Sequence, residues 1–241
     1  MNNKCLNCEK ETQGNYCSNC GQSTSIHRFS LKHFFVHDFV HGIFHFDKGF
    51  IFTIRELFTQ PGHSIREYIQ GKRVKHFNCF STIILVLTIE YFFLKLFHVD
   101  AKVFLTDYTG LYKFQKDYSK FVPFIAIPFY ALCSYLIFRK SQQNYTENLV
   151  LNTYLVGGWM LINFIQKVAL TFAPTIFLNP IKYITIAVTV FYIYVFYYQY
   201  FSVFKFKLPL FIKVIFITLS ILTIKQFINV TLNNIGLHFL H

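Results

Sequence analysis

Beyond residue 76 the chain consists mainly of long apolar stretches that only a lipid bilayer would accommodate. A helix needs about 20 apolar residues to cross the hydrocarbon core of a bilayer. Five stretches approach that length, at residues 77–98, 121–138, 149–172, 181–204 and 208–232. They predict an all-α polytopic membrane protein with about five transmembrane helices, which together form a body at residues 77–241.

The charge content supports the membrane class. Charged residues make up 14% of the chain, whereas a typical soluble domain has about 25%. The net charge is +12, and ten of the lysines and arginines precede residue 77. Because basic residues concentrate on the cytosolic side of membrane proteins, we expect an integral protein of the cytoplasmic (inner) membrane with its N-terminus in the cytosol.

Four cysteines near the N-terminus have the spacing C-x2-C-x8-C-x2-C. Zinc takes four thiolates in a closed tetrahedral site, which is structural rather than catalytic. A short polar segment has no core, so metal binding would supply its folding energy. Iron, disulfides and a redox pair are alternatives, although a cytosolic location disfavours disulfides. We predict a zinc ribbon at residues 1–26 that holds one structural ion through Cys5, Cys8, Cys17 and Cys20.

Residues 27–76 mix phenylalanine, histidine and charged residues at helical spacing. They predict amphipathic helices at the membrane interface, the clearest running from Asp47 to Thr59 before a turn at Pro61-Gly62. The run from Ser64 to Glu67 has the pattern of a capping box for the next helix, and Gly71 suits its C-terminal cap. The basic residues that follow are expected to bind anionic lipid headgroups. They are Lys72, Arg73 and Lys75.

Four histidines recur at every fourth residue within this segment. On a helix such residues share one stripe, and histidines at i and i+4 are compatible with metal binding. One interpretation is therefore a second metal or proton site. The other is that histidine fills the boundary between a phenylalanine-rich face and the headgroups, since one stripe lacks converging ligands from another element. The four are His33, His37, His41 and His45.

A long run of motifs in the first 85 residues resembles a known family. An N-terminal CxxC…CxxCG ribbon precedes a His/Asp/Phe-rich stretch, and a set of specific residues follows. The set is Thr53, Pro61-Gly62, Ile65-Arg66-Glu67-Tyr68-Ile69, Gly71-Lys72-Arg73 and Phe77-Asn78. This pattern is similar to the bacterial membrane proteins grouped as domain of unknown function 3667. The resemblance implies an architecture but no activity, catalytic residue or substrate.

Ionisable residues inside the predicted spans are costly to bury and are candidates for function. Glu90 lies within the first span and Lys225 within the last, at similar depth when counted from the cytosolic ends, so the two could pair. Lys167 and Lys213 are close enough to span ends to snorkel to the interface. The functional interpretation is a transport or proton role for Glu90, and the structural one is an ion pair that locks helices together.

Three functions fit these features. The first is a non-enzymatic adaptor or scaffold that presents the zinc ribbon to a cytosolic protein partner. The second is a small transporter or lipid-handling protein that uses Glu90 and Lys225, although no internal repeat is visible. The third, a metalloenzyme built on the histidine stripe, lacks the further histidine clusters that such enzymes need. We favour the first, without enzymatic activity, and the balanced charge around the cysteines disfavours nucleic acid as a partner.

Overall fold

Within the part of the chain that the structure describes, the architecture is helical except for the N-terminal cysteine ribbon and the connecting loops. The computed structural model describes residues 4–32, 34, 49–99 and 122–239. These residues contain seven α-helices and no β-strand, which confirms the predicted all-α class. The helices are α1 (Phe50–Thr59), α2 (Pro61–Ile69), α3 (Cys79–Leu96), α4 (Val122–Ile137), α5 (Tyr145–Phe172), α6 (Leu178–Phe201) and α7 (Leu210–Phe239).

Four helices are long and apolar enough to cross a membrane, namely α3, α5, α6 and α7. The prediction of an integral membrane protein is thereby confirmed, and the described part of the stretch at residues 121–138 forms a shorter helix, since residue 121 lies outside the described residues. Its helix, α4, has 16 residues, which rise about 24 Å, whereas the hydrocarbon core is about 30 Å thick. The described residues thus provide four candidate spans and one shorter apolar helix, Phe124–Ile137.

α5 lies at the centre of the bundle. It packs against α3, α4 and α6, and α7 packs against α4 and α6. The adjacent glycines of α5 predict a close helix approach, because small residues let helices come together in a membrane. The structure confirms this prediction. A Cβ on Gly158 would lie 1.9 Å from the Tyr192 hydroxyl oxygen, and one on Gly157 would lie 3.4 Å from Thr82 Cγ2.

α1 and α2 pack against one end of the bundle, where α2 meets the C-terminal end of α6. The Gly62 amide donates to the Gln199 side chain at 3.1 Å. The Arg66 guanidinium donates to the carbonyl oxygens of Gln199 and Tyr200 at 2.6 and 3.0 Å. Those carbonyls lie in the last turn of α6, so the arginine satisfies them and complements the negative end of the helix dipole.

The capping box predicted at Ser64 is wrong. The helix begins three residues earlier, with Pro61 at its first position, where the fixed φ of proline is already helical. Ser64 therefore lies inside α2, and its Oγ forms a hydrogen bond with His76 Nε2 at 2.8 Å. The C-terminal cap is confirmed, because Gly71 has a φ of +114°, which favours glycine.

Candidate metal centre and its contacts with the helical body

The four N-terminal cysteines converge. Their Sγ atoms all lie within 4.8 Å of one another. Cys5 and Cys20 are 3.5 Å apart at sulfur, as are Cys8 and Cys17. A disulfide needs about 2.05 Å between sulfurs, whereas four thiolates around one zinc ion at about 2.3 Å are about 3.8 Å apart. The donor set and its spacing therefore fit one tetrahedral metal ion, and the cysteines are not paired as disulfides.

Each CxxC pair forms a knuckle, and the two knuckles have the same backbone hydrogen bonds. In the first, the Cys5 amide donates to the Lys10 carbonyl at 2.8 Å, and the Glu9 amide donates to the Cys5 carbonyl at 2.9 Å. In the second, the equivalent bonds join Cys17 to Gln22 at 2.8 Å and Gly21 to Cys17 at 2.9 Å. These bonds turn the backbone beneath the sulfurs, so the sequence spacing becomes a three-dimensional ligand set.

The turn of each knuckle requires a left-handed residue directly after its second cysteine. Gly21 occupies this position in the second knuckle with a φ of 74°, as the sequence predicts for a glycine beneath a knuckle. Glu9 occupies it in the first with a φ of 61°. A residue with a Cβ is strained there, so the two knuckles share one geometry although only one has the residue that suits it.

The thiol pKa values of Cys8 and Cys20 are shifted in opposite directions. A hydrogen bond from the Lys10 backbone lowers the pKa of Cys8 to about 6, and burial raises the pKa of Cys20 to about 11. The thiolate is the form that binds metal. A metal ion bound here at neutral pH would displace the Cys20 proton, and we expect its occupancy to fall as the pH is lowered.

The cysteine ribbon is docked on the turn that follows α2. The buried Gln22 side chain accepts a hydrogen bond from the Arg73 amide at 3.1 Å. In the first knuckle, the Leu6 side chain lies against Gly71, where a Cβ would come within 2.8 Å of Leu6 Cδ1. Each knuckle thus contributes one residue to a contact with the Gly71–Arg73 turn.

The segment after the ribbon is also fixed to the body. Arg28 forms a two-point salt bridge with Glu147, with Nε and Nη2 donating at 2.5 and 2.8 Å. Glu147 lies in the first turn of α5, where it forms a capping box with Asn144. The sequence analysis missed this box, although the pattern of asparagine followed three residues later by glutamate was its signal. Phe34 is buried against Phe80 of α3, with ring centroids 4.7 Å apart. The ribbon is therefore attached to the helical body both through its knuckles and through the segment that follows it.

The three basic residues predicted to bind headgroups have different surroundings. Lys72 pairs with Glu67 at 2.9 Å. Arg73 lies over the Phe29 ring at 3.9 Å, and its Nη2 donates to the His27 carbonyl at 3.2 Å. Lys75 is exposed. The structure places the three on one turn but leaves headgroup binding as a prediction.

The histidine stripe lies outside the described residues. This applies to all four members, His33, His37, His41 and His45. The interpretation of the stripe as a second metal or proton site therefore stays a prediction. Among the described residues, the four cysteines form the one metal-compatible cluster of this kind.

The intramembrane charges pair differently from the sequence expectation. Glu90 of α3 forms a salt bridge with Lys167 of α5 rather than with Lys225. Lys225 of α7 instead lies over the Trp159 ring, with its Nζ 4.2 Å from the centroid. Depth along a helix can be counted from the sequence, but the direction in which a side chain points depends on helix rotation. The helices are rotated so that Glu90 of α3 and Lys225 of α7 both face α5.

A buried polar network, which the sequence pattern did not reveal, joins α4, α5 and α6. Ser134 Oγ contacts Asn148 Oδ1 at 2.8 Å and accepts from Asn152 Nδ2 at 2.9 Å. The Tyr197 hydroxyl donates to Asn152 Oδ1 at 2.5 Å. Polar groups within a bilayer need internal partners, so the network holds three helices in one register. The available signal was the occurrence of serine and asparagine inside apolar stretches.

The part of the chain from α1 into α3 also matches a family model. The family is described as a protein of unknown function (DUF3667), and the match covers residues 47–90. The match confirms the family resemblance over this segment, which holds α1, α2, the Gly71–Arg73 turn and Glu90. No curated protein and no solved structure matches the chain.

Proposed function

We propose that this protein is a non-enzymatic membrane scaffold whose ribbon, residues 1–26, holds one structural zinc ion. The observation that carries this proposal is a set of four cysteine sulfurs within 4.8 Å of one another, on a ribbon fixed to an apolar helical body. Four thiolates leave no open coordination position for a substrate. The ion would contribute folding energy to a segment that has almost no apolar core of its own.

The proposal includes a location and a division of the chain. The ribbon would lie in the cytosol, beneath a bacterial inner membrane, because basic residues are concentrated in the segments before α3. Residues 27–76 would connect the ribbon to the membrane body at residues 77–241 and bind anionic headgroups. Iron in place of zinc is the alternative metal, and metal analysis distinguishes the two.

The free face of the ribbon supports binding of a cytosolic protein. Gln22 is buried against the body, and Leu6 contacts Gly71 although it is 43% exposed, whereas Tyr16 of the second knuckle is 70% exposed. An exposed tyrosine is characteristic of protein interfaces, because it combines a large apolar ring with a polar tip. Lysines and glutamates alternate nearby, so the surface has no excess of positive charge that would favour nucleic acid.

The alternative of a transporter or lipid-handling protein that uses Glu90 and Lys225 has less support. The carboxylate of Glu90 is neutralised by Lys167, and such a pair can lock two helices together without any transport role. Lys225 lies over an aromatic ring, where a cation is stabilised by the ring quadrupole. Both contacts are accounted for by helix packing.

Site-specific photo-crosslinking tests the scaffold proposal. A photoreactive phenylalanine analogue would replace Tyr16 in one variant and Leu6 in the matched control, each in the full chain in native membranes. We expect adducts with a discrete second protein from position 16, and internal crosslinks to the Gly71–Arg73 turn from position 6. Absence of a discrete adduct at position 16, in a protein that still carries its metal, would contradict the scaffold role.

A further inference from the structure

A cleft lies where the ribbon meets the helical body. Its volume is about 150 Å³, which is large enough for a phosphate group. Leu6 and Ile26 line it from the N-terminal side, and Ile69 lines it from the end of α2. Its polar lining comes from His27, Arg28, Gln70 and Arg73. The cleft therefore has an apolar wall and a side that bears two guanidinium groups.

Only one of the two arginines has its charge balanced by a described residue. Arg28 is paired with the buried carboxylate of Glu147 through two hydrogen bonds. Arg73 contacts no carboxylate within the residues that the structure describes. The neighbouring Lys72 is paired with Glu67. The net charge at the cleft is therefore positive, and Arg73 supplies it.

Arg73 is held in a fixed orientation that leaves donors available. Its guanidinium lies 3.9 Å from the Phe29 ring centroid and donates through Nη2 to the His27 carbonyl. Its Nη1 makes no hydrogen bond to any described residue. A planar guanidinium held on an aromatic ring suits an oxyanion better than a mobile lysine, because little side-chain entropy is lost on binding.

The cleft lies at the level where the chain enters the membrane. Arg73 precedes the first residue of α3, Cys79, by less than two helical turns of sequence. The other cleft arginine is bonded to Glu147, in the first turn of α5. The two helices are candidate spans, and both begin beside the cleft, which would put it near the lipid headgroups on the ribbon side of a bilayer.

We propose that this cleft binds the phosphate of an anionic phospholipid headgroup, with Arg73 as its principal contact. The apolar residues Leu6, Ile26 and Ile69 would lie beside the glycerol region. Because Leu6 stands between two cysteine ligands, one wall of the site exists only when the ribbon is folded around its metal. The inference deepens the headgroup binding proposed for residues 27–76 and rests on that proposal, and its metal dependence rests on the proposed zinc ribbon.

Native mass spectrometry of the full chain in detergent tests the site, with phosphatidylglycerol and phosphatidylcholine as the lipid probes. We expect Arg73→Gln to weaken phosphatidylglycerol binding about tenfold or more, the effect of losing one charge-assisted contact. The matched control Lys75→Gln removes an exposed charge from the same turn, and we expect less than about a twofold change. Phosphatidylcholine binding should be weak and equal in all three proteins.

Two sets of outcomes would overturn the lipid site. Equal losses in the two variants, or no loss in Arg73→Gln, would show that Arg73 is not its principal contact. Displacement of bound lipid by millimolar inorganic phosphate would assign the cleft to free phosphate instead and overturn the lipid assignment. Metal content and circular dichroism of each variant report its fold. Arg73→Lys provides a second variant that keeps the charge but loses the planar, two-pronged donor geometry of the guanidinium.

Metal removal distinguishes failure of this inference from failure of the scaffold proposal. Chelation should lower phosphatidylglycerol affinity as much as Arg73→Gln does. If the chain carries zinc and crosslinks its partner but Arg73→Gln binds lipid normally, only the lipid site is contradicted. If the chain carries no metal but Arg73→Gln still lowers lipid affinity selectively, the arginine contact stands and the metal-dependent wall is contradicted.

Discussion

Glu90 and Lys167 are opposite charges on neighbouring helices, and both are mostly buried. The side chains are 17% and 24% exposed, respectively. A lone charge at such a position is costly in a membrane, whereas a hydrogen-bonded pair is much less so. The pair therefore acts as a joint, that is, a salt bridge that holds α3 and α5 together. This structural role can be separated experimentally from transport.

A double-mutant cycle tests the joint. Glu90→Gln should lower the free energy of unfolding in mixed micelles by about 3 kcal/mol, because Lys167 is left without its carboxylate. The double variant Glu90→Gln with Lys167→Gln should recover part of this loss, since two amides can form a hydrogen bond. Lys225→Gln serves as the control and should show no coupling to Glu90. Additive losses in the double variant would contradict the joint.

How far single residues could be predicted depends on the range of their interactions. The convergence of the four cysteines was predictable because their knuckles close within six residues, so spacing alone specifies the geometry. The partner of Glu90 was not, because it depends on how α3 and α5 are rotated toward each other. The Arg28–Glu147 bridge joins residues 119 positions apart and left no local signal.

At the scale of elements, α2 packs against the bundle and leads into the basic turn on which the ribbon is docked. Its Gly62 lies directly against α6, where a Cβ would be 2.2 Å from the Phe196 carbonyl oxygen and 2.4 Å from the Tyr200 nitrogen. Both are backbone atoms of a helix and cannot move aside cheaply. The glycine of the Pro61-Gly62 motif is thus required by packing rather than by a turn.

Gly62→Ala should therefore separate α2 from α6. We expect a loss of stability of about 2 kcal/mol, in the range of overpacked sites, and faster hydrogen exchange in α2. Gly157→Ala in α5 is the matched control, because its Cβ would meet a side-chain methyl at 3.4 Å. Equal effects of the two substitutions, measured by hydrogen exchange and thermal unfolding, would contradict the close contact.

The elements themselves were largely predictable, and the exceptions have physical reasons. Apolar runs gave α3, α5, α6 and α7, because a membrane span depends on length and hydropathy alone. The described part of α4 has 16 residues, and the residues directly before it lie outside the description, so the span predicted there stays a prediction. The start of α2 was misplaced because a proline at the first helical position looks like a turn in sequence.

At the scale of the whole molecule, the ribbon packs directly against the membrane body. Gln22 and Leu6 connect it to the turn that follows α2, and Arg28 connects it to α5. A partner bound to the exposed face of the ribbon would therefore act on a surface whose position relative to the bilayer is fixed. These roles depend on one premise, which is that the four cysteines hold a metal ion in a chain embedded in lipid.

Metal stoichiometry of the full chain, extracted from washed membranes, tests this premise most directly. We predict one zinc ion per chain in the wild type, and none in the Cys5→Ser, Cys8→Ser double variant, with both proteins still in the membrane fraction. The substitution removes two of four ligands and leaves the apolar helices unchanged. A wild-type chain without metal, or a double variant that retains it, would contradict the premise.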